Sequence, residues 1–261
     1  MLIRAIAAAA TAALLTGGGI AAAQTEPPPT PPLGVCALAA QEDPGANVIP
    51  GATDGPDILI GTSGPDIIDA LGGNDLVLAG GDDDVVCGGA GSDSLIGGGG
   101  ADTIDGGGEL DVADDLNAIV AGPGDDDVTG GKGRDHVVLG GGGDEARTGE
   151  QDDVIAGGAG RDIVVSGIDE DTVAGDGGRD FLSGTSGDDV LDGGAERDTL
   201  LGSEGDDILR AGAGDDAQLK GGDDDDQLDG GPGTDLDCRG ADANDADGEP
   251  DVDTVVNCEL P

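Results

Sequence analysis

Gly88-Gly89-Ala90-Gly91-Ser92-Asp93-Ser94-Leu95-Ile96 runs directly into Gly97-Gly98-Gly99-Gly100-Ala101-Asp102-Thr103-Ile104-Asp105, and both stretches follow Gly-Gly-x-Gly-x-Asp-x-U-x, with U large and apolar. The glycines suit a tight turn, position six carries a carboxylate, and position eight offers one inward side chain on a short strand. Most of the remaining chain consists of copies of this unit. Self-similarity at a short fixed period marks a solenoid, in which each repeat packs only on its neighbours.

Working outward, units beginning at 52, 61, 70, 79, 88 and 97 place Asp57, Asp66, Asp75, Asp84, Asp93 and Asp102 at position six. Position eight of the same units holds Leu59, Ile68, Val77, Val86, Leu95 and Ile104. The next unit, with Asp111 at six and Ala113 at eight, is degenerate: Glu109-Leu110 stands where the turn glycine belongs. Asp115 to Val120 then reads as an insertion outside the period, a bulge or loop at the weakest joint of the array.

From Ala121 the period resumes with Asp126, Asp135, Asp144, Asp153, Asp162, Asp171, Asp180, Asp189, Asp198, Asp207 and Asp216 at position six. A one-residue slip expected at Lys220 precedes two more units carrying Asp226 and Asp235. In this register the apolar rule at position eight fails at Gln218 and Asp237, near the end of the array. Non-glycine residues at position four (Asp82, Gln151, Asp169, Glu196, Asp224) and position two (Asp176, Ser203) are expected to strain turns that need positive φ.

Composition excludes an ordinary aromatic-rich core. The 261 residues include no Trp, no Tyr and a single Phe, Phe181, with 55 glycines and a formal charge of -47. Such charge in a compact fold requires counter-charge from outside, and it makes nucleic acid and anionic membrane surfaces poor partners. Periodic spacing of the acids argues against a disordered acidic polymer, although disorder without a cation is expected.

The flanks divide as follows. Residues 1–23 read as a secretory signal peptide, with Arg4 in the n-region, an apolar run from Ala5 to Leu15 and Ala21-Ala22-Ala23 at the cleavage site. Residues 24–32 form a proline-rich linker, 33–51 an N-terminal cap, 52–238 the repeat array interrupted near 106–120, and 239–261 an acidic C-terminal cap. The apolar run is broken and short for a membrane span, so export with no membrane span after cleavage is expected. The acids of the last segment do not fit the spacing of a helix-loop-helix calcium loop.

The first six positions of each unit should turn and the last three should run as strand. Two units then make one coil of about eighteen residues, and stacked parallel strands give an all-β rod roughly 50 Å long. Aspartates from stacked turns would form a ladder of like charges that repels itself without a cation. Calcium answers this: it takes six to eight oxygen ligands in flexible geometry, and glycine turns expose carbonyls beside the carboxylates. Magnesium demands tighter geometry, and the four cysteines and lone His136 are too few for zinc. His136, at position seven, should be exposed.

The units resemble the hemolysin-type calcium-binding repeats of RTX proteins, matched closely at 88–96, 97–105, 130–138 and 157–165. The resemblance implies a right-handed parallel β-roll with short N- and C-terminal caps and with multiple calcium ions between consecutive turns. Their ligands would be turn carbonyls and the carboxylates of Asp57, Asp66, Asp75, Asp84, Asp93, Asp102, Asp126, Asp135, Asp144, Asp153, Asp162, Asp171, Asp180, Asp189, Asp198, Asp207, Asp216 and Asp226. Asp66 would share a side with Asp84 and Asp102, and Asp75 with Asp93.

Cys36, Cys87, Cys238 and Cys258 form an even set, which in an exported chain argues for disulfides. Three pairings are possible. Proximity favours Cys238 with Cys258, leaving Cys36 to tie the N-terminal cap to Cys87.

The expected function is a secreted, extracellular calcium-binding repeat protein that folds as ions bind, acting as a structural, surface or matrix component. Its protein or cell-surface partner is left open. No segment outside the array is large enough to enclose an active site, so no enzyme is expected. The alternatives are an adhesin-type solenoid, or a calcium-dependent module related to RTX toxins and hydrolases without a catalytic domain. The outward apolar residues Ile58, Ile60, Ile67, Leu76 and Leu78 would pack under the N-terminal lead-in or make a protein contact.

Overall fold

The computed structural model describes Cys36 and residues 46–107, 116–235, 238–239 and 254–256. Its strands alternate between two parallel sheets of eleven strands each. The first sheet starts at Asn47–Val48 and continues through Asp66–Asp69, Val85–Gly89 and Thr103–Gly107 to Cys238–Arg239. The second starts at Ile58–Ile60 and continues through Leu76–Gly81, Ser94–Gly99 and Leu116–Pro123 to Thr254–Val256. A strand pairs with the one a full coil later, so Val77 lies beside Leu95 and Val137 beside Ile155. The array is therefore a parallel β-roll in which two nine-residue units make one coil.

Strands are longer than the three residues expected per unit. Ser94–Gly99 has six, running from position seven of one unit to position three of the next. Side chains alternate across it, so Leu95 at position eight and Gly97 at position one face inward while Ser94 and Ile96 face out. Position six, just before the strand, also faces inward, so each unit points three residues into the interior.

That interior is one continuous stack. Position eight supplies Val77, Leu95, Ile119, Val137, Ile155, Val173, Leu191 and Leu209 from the second sheet, and Ile68, Val86, Ile104, Val128, Val164, Leu182, Leu200 and Leu219 from the first, all buried. Aromatics are unnecessary because each coil closes on two aliphatic side chains and the small residues at position one. Ala146, the small residue at position eight, belongs to the unit whose position one is the buried Leu139, which restores volume.

Three expectations require correction. First, Leu116–Val120 is strand, not loop. Ile96 pairs with Val120 and Asp135 with Asn117, so Asn117 and Ile119 occupy positions six and eight. The rung from Asp102 to Asp126 spans 24 residues where the rung from Asp84 to Asp102 spans 18, so six extra residues fall in the sequence between the strands ending at Gly107 and starting at Leu116. Both sheets continue past it. Asp111 and Ala113 lie outside the described residues.

Second, the slip near the C-terminal end lies before Gln218, not at Lys220. The N–H of Ala217 donates to the carbonyl of Asp198, yet Thr199 pairs with Gln218 and Leu200 with Leu219. Ala217 and Gln218 thus oppose one residue as a bulge, and Leu219, fully buried, restores the core. The same offset recurs one coil later, where Cys238 pairs with Leu219.

Third, the early apolar patch divides between two faces. Ile67 and Val85 are buried in a small cluster with Cys36, against which Ala46 and Cys87 pack. A disulfide joins Cys36 to Cys87, with 6.1 Å between their Cα atoms. Ile58 and Ile60, on the opposite face, are 70% and 63% exposed. Cys258, and with it the second expected pairing, lies outside the described residues.

Candidate metal centre

Position six builds two columns. One runs through Asp66, Asp84, Asp102, Asp126, Asp144, Asp162, Asp180, Asp198, Asp216 and Asp235, and is headed by Asn47. The other runs through Asp57, Asp75, Asp93, Asn117, Asp135, Asp153, Asp171, Asp189, Asp207 and Asp226. Asp66 does share a side with Asp84 and Asp102, and Asp75 with Asp93. Apart from Asn47 and Asp57, every member of both columns is buried.

One connection repeats throughout. From Asp66 to Asp216 in one column and from Asp57 to Asp207 in the other, the backbone N–H of each position-six residue donates to Oδ1 of its counterpart one coil later, at 2.9 Å from Asp84 to Asp102 and 2.8 Å from Asp153 to Asp171. Oδ1 is thereby satisfied. Oδ2 is not: in Asp75, Asp84, Asp102, Asp126, Asp144, Asp162, Asp180, Asp189, Asp198 and Asp207 it is buried without a hydrogen-bond partner. A buried carboxylate oxygen with nothing to receive costs several kcal/mol of lost solvation unless the group is protonated or meets a cation, on the order given for unpaired buried charge.

The surroundings of Oδ2 are oxygen-rich. A Cβ on Gly97 would sit 2.5 Å from Oδ2 of Asp102 and 2.8 Å from the carbonyl oxygen of Ala121 in the next coil. A side chain on Gly97 would therefore displace both atoms, and a carboxylate and a carbonyl from successive coils converge beside it. Among the described residues no three His, Cys, Asp or Glu side chains converge on one point. A cation here must draw on main-chain carbonyls as well as on neighbouring carboxylates, a donor set of hard oxygens that fits calcium and excludes a zinc-type site.

Electrostatics agree. Burial, reinforced by the neighbouring aspartates of the same column, pushes Asp84, Asp102, Asp126, Asp144 and Asp180 up to about 6. The same causes push Asp189 and Asp198 up to about 7 and Asp207 to about 8. Burial also raises Asp153 to about 7, partly offset by the Thr148 hydroxyl. Each backbone donor opposes the rise, and burial outweighs it.

The first rungs differ. Oδ2 of Asp57 accepts the N–H and hydroxyl of Thr53 at 2.7 and 2.8 Å, and Oδ2 of Asp66 accepts the N–H of Thr62. Both units read Thr-x-Gly-Pro-Asp in place of the glycine turn. The turns flagged for lacking glycine keep its conformation: Asp82, Gln151, Asp169, Glu196 and Asp224 have φ between 71 and 85°, and Asp176 and Ser203 lie at 66 and 105°. Leu71 and Thr185, at 71 and 95°, join them.

Asn47, Asn117 and Asp235 were not in the expected ligand set. Counting nines backward from Ala121 does find Asn117 at position six, with Ile119 at eight. His136 is exposed, as its position requires.

A family model described as RTX calcium-binding nonapeptide repeat (4 copies) matches residues 51–86, 88–113, 114–146, 147–182, 183–217 and 218–237. No curated protein matches the chain.

Proposed function

Because the chain belongs to the RTX calcium-binding nonapeptide repeat family, we propose that it is a secreted protein whose β-roll folds as several calcium ions bind along its two aspartate columns. The observation that carries this is the partnerless, buried Oδ2 repeated coil after coil. We assign ligation to Asp75, Asp84, Asp93, Asp102, Asp126, Asp135, Asp144, Asp153, Asp162, Asp171, Asp180, Asp189, Asp198, Asp207, Asp216, Asp226 and Asp235, with turn carbonyls completing the shell. Asp57 and Asp66 stand aside because Thr53 and Thr62 already bond their Oδ2 atoms.

Calcium, when bound, supplies the positive charge that lets these carboxylates stay ionised in the interior. The chain supplies everything else: backbone donors fix Oδ1, glycines such as Gly88, Gly97 and Gly175 at position one let adjacent coils approach closely, and the aliphatic stack sets the spacing. Binding energy then becomes folding energy.

Export is supported by the Arg4, Ala5–Leu15 and Ala21-Ala22-Ala23 pattern and by the Cys36–Cys87 disulfide, which suits an oxidising compartment. A structural, surface or matrix role is supported by the stacked repeats that make up nearly all of the described residues. The adhesin-type alternative draws on the outer face of the second sheet, where Ile58, Ile60, Val120, Val138 and Val154 are exposed.

The test is circular dichroism during calcium titration after chelation, with magnesium as control. Coil-to-β conversion with calcium alone is expected; a chain fully β in chelator at neutral pH overturns the reading.

A further inference from the structure

We propose that Asn117 is an ion-free rung that divides the second column into two separate calcium columns, one ending at Asp93 and the other starting at Asp135. The inference rests on the calcium reading above.

Asn117 is fully buried and stands where every other interior rung has an aspartate. Its Oδ1 accepts the N–H of Asp93 at 3.0 Å, and its own N–H donates to Oδ1 of Asp135 at 3.3 Å. The backbone ladder thus passes through this residue intact. Because only an oxygen can face the Asp93 donor, the amide orientation is fixed, and Nδ2 must occupy the place of Oδ2. It lies 2.8 Å from where a Cβ on Gly106 would be, as Oδ2 of Asp93 lies 2.5 Å from one on Gly88.

An amide NH2 carries partial positive charge and only donates, so it cannot ligate a cation. This Nδ2 is itself buried and has no acceptor. The two steps flanking Asn117 therefore lose an anionic ligand and gain a group that repels the ion. The opposite column shows no such gap, since at the same level the backbone N–H of Asp102 donates to Oδ1 of Asp126 and both rungs are aspartates.

The insertion falls in the same place. The rung from Asp93 to Asn117 spans 24 residues, as does the rung from Asp102 to Asp126, so six additional residues fall in the sequence between Gly107 and Leu116, just before Asn117. Among the described residues, the extra length therefore precedes the interior rung that lacks a carboxylate.

Native mass spectrometry of the full, disulfide-bonded chain in saturating calcium tests this, with wild type, Asn117→Asp and Asp153→Asn compared. Asn117→Asp should bind at least one more calcium than wild type, and Asp153→Asn, which copies the gap elsewhere in the column, at least one fewer. An unchanged count in Asn117→Asp, with β content equal to wild type, overturns the proposal. Should that variant fail to fold, an unchanged count in Asp153→Asn overturns it instead. A wild-type chain that binds no calcium would overturn the functional reading itself, a distinguishable result.

Discussion

The backbone N–H of Asp102 donates to Oδ1 of Asp126 at 2.7 Å across 24 residues, in a column whose neighbouring rungs span 18. An insertion has therefore been absorbed without breaking the ladder. What each rung presents to its neighbours, and not the length of chain between rungs, holds the array together.

Proton uptake should replace calcium in part. Burial raises Asp84, Asp102, Asp126, Asp144 and Asp180 from an ordinary 3.8 to about 6, Asp189 and Asp198 to about 7 and Asp207 to about 8. Between 3.8 and those raised values the folded state binds more protons than the unfolded chain, so the metal-free stability these groups contribute is full below 3.8, falls as pH rises from there and is gone above about 8. In chelator, β structure by circular dichroism should persist near pH 5 and be lost by about pH 8, and calcium should abolish that loss. Equal β content at both pH values in chelator would refute the assignment.

Core truncation should be costly despite the absence of aromatics. Leu191 is fully buried in the aliphatic stack, so Leu191→Ala should destabilise the calcium-loaded roll by about 2–5 kcal/mol. Ile58→Ala, at an exposed position, should stay within about 0.5 kcal/mol. Urea unfolding in excess calcium compares the two.

Thr185 has φ of 95° at position two, a conformation that a β-branched residue adopts only under strain. Thr185→Gly should therefore raise the urea midpoint, by about 1 kcal/mol of stability once the lost hydroxyl bond to the Gly167 carbonyl is counted. Gly142→Ala is the reverse case: φ is 153° and a Cβ would collide with the Gly124 carbonyl, so a clear loss is expected.

Reduction of Cys36–Cys87 should loosen one end only. The first strand is held by the N–H groups of Asn47 and Ile49, which donate to the carbonyls of Pro65 and Ile67. Hydrogen exchange should show these amides losing protection under reductant while Val164, in the middle of the stack, is unchanged. Uniform loss across the roll would show that the disulfide supports the entire array.

Much of this was legible from residue order because period and chemistry coincide. Asp93 and Leu95 sit two apart, at positions six and eight, and a strand's alternation places both on the inner face wherever the unit recurs. The joints were not legible. A register carried rigidly from Asp216 puts Gln218 in the core, whereas the bulge at Ala217 moves Leu219 there, because burying a leucine outweighs the loss of one regular pairing.

The sequence by itself determined the nonapeptide coil, its aliphatic stack, the two-sided distribution of aspartates and the hard-oxygen chemistry they call for. Only the tertiary structure decided which carboxylate oxygens are left without partners, that Thr53 and Thr62 occupy those of Asp57 and Asp66, and that Asn117 carries the ladder past the insertion. Those outcomes depend on contacts between residues a full coil apart. A periodic sequence specifies that coils will stack, but the hydrogen bonds made across the stack depend on the local geometry of each turn.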